Sequence, residues 1–136
     1  MLLTSFMMSS IVNAKPLADK NKVNKVNDYF MSQLVAGQFE SAYSLMTAYI
    51  GVNMTQFEER GKKAALAMKQ MEKSQGKPLS FALLKTQSVG EHFYKATYLL
   101  KYPAAALIWE LNYYQPQKGW KLVDINFNTN IDALFK

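Results

Sequence analysis

Cysteine is absent from this chain of 136 residues, and histidine occurs once, at His92. The first absence excludes disulfides, thiolate metal sites, a Cys nucleophile and a lipidated Cys anchor. The second excludes a multi-His metal site or a His relay. Gly-rich phosphate loops, a Gly-x-Ser-x-Gly elbow, a His-Glu-x-x-His helix and an Asp-rich calcium loop are missing too. No cofactor, metal ligand or catalytic residue is therefore assigned, and the enzyme class loses most of its usual starting points.

Charge of one sign is nowhere concentrated. The net charge of +6 divides into +4 for residues 15–77 and +2 for residues 78–136. The densest basic stretch, Lys15, Lys20, Lys22 and Lys25, is interrupted by Asp19 and Asp28 and contains no Arg or interleaved aromatic. It reads as a solvated helix start, as Lys62, Lys63, Lys69 and Lys73 read as a solvated helix face, and no nucleic-acid partner is expected.

No apolar run reaches the roughly 20 residues that span a bilayer, so stable membrane insertion is not expected. The nearest is residues 1–14, MLLTSFMMSSIVNA, an uncharged segment ending in Val12-Asn13-Ala14. Small or apolar residues at minus three and minus one suit a signal peptidase, which predicts cleavage after Ala14 and a periplasmic or secreted product. Thr4, Ser5, Ser9, Ser10 and Asn13 leave no amphipathic face for a buried helix.

The full chain is 49% hydrophobic and 19% charged, a globular composition, and residues 15–136 suit one domain. Its period changes midway. Asp19 is a candidate N-cap for a first helix carrying Val23, Val26, Phe30 and Leu34, with Tyr29 beside them, as far as Gly37. Phe39, Ala42, Tyr43, Met46 and Ile50 predict a second, shorter helix, ended by Gly51. Thr55 and Glu58 have capping-box spacing, so a third helix is expected from Thr55 to about Gln75, with Phe57, Gly61, Ala64, Met68 and Met71 inward. The small residues on that stripe predict a close approach to a sheet.

After Gly76 and Pro78 every segment is strand-like. Strands are predicted over Leu79–Val89, His92–Tyr102, Ala105–Tyr114 and Trp120–Asn128, joined by short turns as an antiparallel meander. The fold class is α+β: three helices, then four strands. Alternation sets Tyr94 and Tyr98 on one face of the second strand, with Trp109 and Tyr113 sharing a face of the third. Neither face of the sheet is purely polar.

The pairs and runs Tyr29-Phe30, Gly37-Gln38-Phe39-Glu40-Ser41-Ala42-Tyr43, Tyr98-Leu99-Leu100-Lys101-Tyr102, Gly119-Trp120-Lys121-Leu122-Val123 and Asn126-Phe127-Asn128 resemble the nuclear transport factor two-like (cystatin-like) superfamily. The similarity is to its small exported bacterial members of unassigned activity. It implies a cone in which a strongly bent sheet wraps the longest helix. Such a cone can bind apolar ligands, host acid/base chemistry, or be filled by its own side chains while the back of the sheet forms dimers.

Two functional expectations follow. In the first, the protein is non-catalytic and acts as a homodimer or docks to an envelope protein through Tyr94, Tyr98, Trp109 and Tyr113. In the second, a small apolar ligand is bound, and isomerised or hydrated, in a cone lined by Phe30, Tyr43, Met68 and Met71. Tyr29, Glu110 and Asp124 are then the candidate polar groups, with Tyr43 and Tyr98 as further hydroxyl donors. Glu110 has an alternative in a cross-strand pair with Lys95 or Lys121.

Overall fold

The computed structural model describes residues 15–135. The segment 1–14, read above as a signal peptide, lies outside the described residues. Asp19 caps the first helix, α1 (Lys20–Val35), its carboxylate accepting the Lys22 backbone N–H at 2.9 Å. Gly37, at φ 77°, turns the chain into α2 (Phe39–Met46).

The predicted continuation of α2 through Ile50 does not occur. A short 3-10 turn over Thr47–Tyr49 follows, and Ile50 instead makes a parallel bridge to Leu122. Gly51 donates its N–H to the Leu122 carbonyl at 2.7 Å. A Cβ on Gly51 would stand 2.9 Å from Lys121 Cβ, so the close docking of this loop needs the missing side chain. The docked loop then delivers Asn53 as the cap of α3 (Met54–Gln75), Asn53 Oδ1 accepting from the Gln56 N–H at 3.0 Å. The Thr55 capping box is pre-empted because an equally good cap residue arrives two positions earlier.

The small-residue stripe of α3 meets α2 rather than the sheet: a Cβ on Gly61 would lie 3.0 Å from the Tyr43 ring. It is α1 that lies closest to the sheet, over its first two strands.

The strands are β1 (Ser80–Val89), β2 (Phe93–Lys101), β3 (Ala106–Tyr114) and β4 (Lys121–Asn128). They pair in chain order as an open antiparallel meander, with Tyr94 opposite Tyr113, Tyr98 opposite Trp109 and Trp109 opposite Phe127. Register shifts at Leu83/Lys85 and at Asn112/Tyr113 re-aim the side chains beyond them. A 3-10 turn over Ile131–Phe135, not anticipated, ends the described chain.

One face of the sheet carries the core. Tyr94, Tyr98, Leu100, Trp109, Leu111, Tyr113 and Leu122 pack against Phe30, Met31, Leu34, Tyr43, Met46 and Met68 from the helices. Trp109 meets Phe30 edge-on at 5.6 Å and stacks on Phe127 at 4.7 Å. Aromatic pairs of this kind contribute roughly 0.5–1.5 kcal/mol beyond their buried area.

Polar contacts fix α1 on that face. Tyr94 donates its hydroxyl to Asn24 Oδ1 at 2.8 Å, Tyr98 to Asp28 Oδ1 at 2.9 Å, and Tyr113 to Asn27 Oδ1. The three acceptors stand at i, i+3 and i+4, one stripe of a helix, and so meet tyrosines from two adjacent strands.

The two edges of the sheet differ. The start of β4 is covered: Leu17 and Trp120 exchange backbone hydrogen bonds of 2.9 and 2.7 Å, and Lys15 donates to the Ala48 carbonyl at 2.9 Å. Along β1, β2 is the sole strand partner among the described residues.

Candidate functional site

The interior is filled. Phe30, Tyr43, Phe57 and Trp109 form a continuous aromatic cluster with ring centroids 5.5–6.4 Å apart. Phe30 and Met68, expected to line a ligand cavity, are buried in the core, with Met71 packed at its margin. Tyr43 alone of the four expected lining residues borders open space.

That space takes two forms. A cleft of about 530 Å³ runs between α2 and α3, bordered by Glu40, Ser44, Glu58 and Lys62 around the Tyr43 ring. A smaller pocket of about 150 Å³ lies between the start of α3 and β4, with Val52, Phe57, Val123 and Ile125 as apolar walls. Tyr43, Asn53, Gln56, Arg60 and Asp124 complete it. The docking of Gly51 on Leu122 brings these two elements together, so the pocket follows from the bridge at the end of α2.

Within the pocket Arg60 Nη1 donates to Asp124 Oδ1 at 3.0 Å, and Asn126 Nδ2 donates to the other Asp124 oxygen at 3.1 Å. Tyr43 is 7% exposed, and its hydroxyl has no hydrogen-bond partner among the described residues. Burial raises its pKa, and the negative charge of Asp124 raises it further. Tyr43 is therefore a neutral donor at ordinary pH. Tyr43 and Asp124 are the two expected site residues that the fold brings together.

The others are dispersed. Tyr29 is 52% exposed on the outer side of α1. Glu110 lies on the outer face of the sheet and pairs with Lys95 at 3.6 Å, the cross-strand alternative considered for it. Neither lines the pocket: Tyr29 faces solvent from α1, and Glu110 faces away from the helices.

The expected interface requires the same correction. Tyr94, Tyr98, Trp109 and Tyr113 are at most 4% exposed, held against the helices. A side chain already buried within its own chain has no surface to offer a second one. Burial raises the pKa of Tyr98, with the Asp28 hydrogen bond adding to it, and burial raises that of Tyr113. The Asn27 amide group lies beside the Tyr98 oxygen and works in the opposite direction. It does so outside hydrogen-bonding geometry, since Asn27 Nδ2 is without a partner among the described residues.

The outward face carries Lys95, Glu110, Asn112, Phe93 and Tyr114. Phe93 and Tyr114, opposite one another in register, stack at 5.2 Å with 26° between their planes. Phe93 is 50% exposed, and Val89, its partner across the first hairpin, is 67% exposed. A shallow recess of about 280 Å³ adjoins them beside Gln87, Lys95 and Asn112. Leu83 and Leu84, at the register shift of β1, are exposed as well, but Leu83 pairs with Tyr98 and so lies on the side of the helices, apart from this patch.

Sequence reasoning passed over Arg60, Asn53 and Val89. Arg60 carried a signal, as the sole arginine of the chain. Val89 carried none, since alternation alone does not say which face the helices cover. No group of three or more metal-ligating carboxylate, His or Cys side chains forms among the described residues, and none of their helices is long and apolar enough to cross a membrane.

No protein-family model matches the chain, and no curated protein matches it. Among solved structures it is similar to a DUF4783 family protein from Bacteroides ovatus, at 12% identity and a TM-score of 0.44, over 71% of this chain and 91% of that one.

Proposed function

We propose that the protein is an exported, non-catalytic interaction domain of the nuclear transport factor two-like kind, and that it self-associates through the outer sheet face and the β1 edge. The observation that carries this reading is the open β1 edge, which ends at the exposed Val89 beside the stacked Phe93–Tyr114 pair on the outward face. Edge strands present unpaired N–H and C=O groups, and proteins that stay monomeric cover or charge them. Here the start of β4 is covered, whereas β1 has no strand partner but β2 among the described residues and carries a single charge, Lys85.

A second copy is the fitting occupant, because two β1 strands can pair antiparallel about a two-fold axis and bring their Val89–Phe93–Tyr114 patches into one interface. The superfamily resemblance supports the same face, since dimers there form on the back of the sheet. The packed interior supports a non-catalytic reading.

Sedimentation velocity between about 5 and 200 µM tests the proposal. A concentration-dependent dimer is expected, and Val89→Asp and Phe93→Asp should each return a folded monomer. A monomer throughout that range would sink self-association and leave docking to a different envelope protein as the use of this face. A dimer indifferent to both substitutions would place the contact elsewhere.

A further inference from the structure

We propose that the pocket between the start of α3 and β4 binds a short-chain monocarboxylate of about six heavy atoms. Its volume, about 150 Å³, is that of a cavity known to accept a benzene-sized guest. The inference is independent of the self-association reading, as pocket and open edge share no residue.

The balance of polar groups selects the ligand. Asp124 is the sole carboxylate of the pocket, and both its oxygens are engaged, by Arg60 and by Asn126. Its charge opposes an anion, and the guanidinium 3.0 Å away offsets that opposition. Donors remain in surplus. A guanidinium has five N–H groups, and the Asp124 contact uses one Arg60 nitrogen. Asn53 spends its side-chain oxygen on the helix cap, which leaves its amide N–H groups for a ligand.

Tyr43, 7% exposed, borders the pocket with a hydroxyl that makes no hydrogen bond within the described residues. It is a further neutral donor for a carboxylate, beside the charged Arg60. The N-terminus of α3, 22 residues long, adds the positive end of its dipole. Phe57 and Ile125 flank these donors with apolar surface, suited to a short alkyl chain rather than to inorganic phosphate.

The test is a heteronuclear NMR titration of the protein with butyrate at pH 7, with butyramide as its neutral isostere. Saturable shifts confined to Tyr43, residues 52–60 and residues 123–125 are expected, with a dissociation constant on the order of 1 mM. Butyramide should bind at least about tenfold more weakly, and Tyr43→Phe should weaken butyrate by about tenfold while keeping the ring that packs on Gly61. Arg60→Gln, at an exposed position that the core does not need, should weaken it at least as much. Shifts that stay linear to about 50 mM, equal binding of butyramide, or unchanged affinity in folded Tyr43→Phe or Arg60→Gln protein would each overturn the proposal.

Discussion

Replacing Tyr113 with Phe removes one hydroxyl from the interior, and the cost depends on what is left behind. Asn27 is fully buried, its oxygen accepts from Tyr113, and its amide nitrogen already lacks a partner among the described residues. Without the hydroxyl the whole carboxamide is stranded, at about 2–3 kcal/mol. Tyr98→Phe and Tyr94→Phe differ because their acceptors, the exposed Asp28 and the half-buried Asn24, can be hydrated instead. Each should cost about 0.5–1.5 kcal/mol. Urea unfolding followed through Trp109 and Trp120, both buried, reads these differences. With a slope of about 1.5 kcal/mol/M, the midpoint should fall by about 1.5 M for Tyr113→Phe and by about 0.5 M for the other two. The double variant Tyr113→Phe/Asn27→Leu removes both partners at once and should recover most of the loss. A Tyr94→Phe penalty as large as that of Tyr113→Phe, or a double variant at least as unstable as the sum of its singles, would refute the account of how α1 is docked.

Alkaline stability follows from the tyrosines: Tyr43, Tyr98, Tyr102 and Tyr113 all have raised pKa values, that of Tyr102 to about 12 through burial with Glu72 adding. A pKa raised on folding favours the native state fully below the unfolded value of about 10, and that contribution is lost as pH rises through the folded value. Absorbance at 295 nm should therefore show these four ionising together with loss of far-UV ellipticity, and independent ionisation near pH 10 in an intact fold would contradict their burial. Trp109→Ala should cost about 3–5 kcal/mol and Phe93→Ala under about 1 kcal/mol in the same urea assay, and the reverse order would invert the assignment of sheet faces. Gly119→Ala, at φ 90° with a Cβ 2.5 Å from Pro16, should lower the melting temperature well beyond Gly37→Ala, at φ 77° in open space, whose cost is about 1–2 kcal/mol. Equal effects would mean that the Pro16 contact yields without cost.

The order of elements was legible because the two halves of the chain have different hydrophobic periods, and Asp19 was legible because it is the first good cap residue in the described chain. Ile50 was misread because its spacing from Met46 is helical, whereas its partner Leu122 lies 72 residues away and leaves no local trace. Face assignment failed for a related reason. Both faces of β2 and β3 carry aromatic or branched residues, so alternation separates Trp109 from Ile108 without saying which one meets the helices. The deciding residues were Asn24, Asn27 and Asp28, acceptors on or beside the apolar stripe of α1, where tyrosine hydroxyls are suitable donors. Asp124 could be named from sequence as a candidate site residue. The pairing of Asp124 with Arg60 could not, since a loop docked by a backbone hydrogen bond aligns α3 with β4.

The pairing of Leu17 with Trp120 sets a condition on timing. These residues stand 103 positions apart, so the contact that seals the start of β4 joins the first described segment to the last strand. During synthesis or threading from the amino end, α1, α2 and α3 emerge first and can form locally, but β4 cannot close on Leu17 until more than a hundred further residues have followed. Contacts so distant in sequence slow folding through the entropy of closing the intervening loop. A chain stalled before Trp120 keeps its amino-terminal segment unlatched and its tyrosine-bearing strands incompletely paired, a state open to chaperones and proteases, and the latch becomes a late check that the whole sheet has arrived.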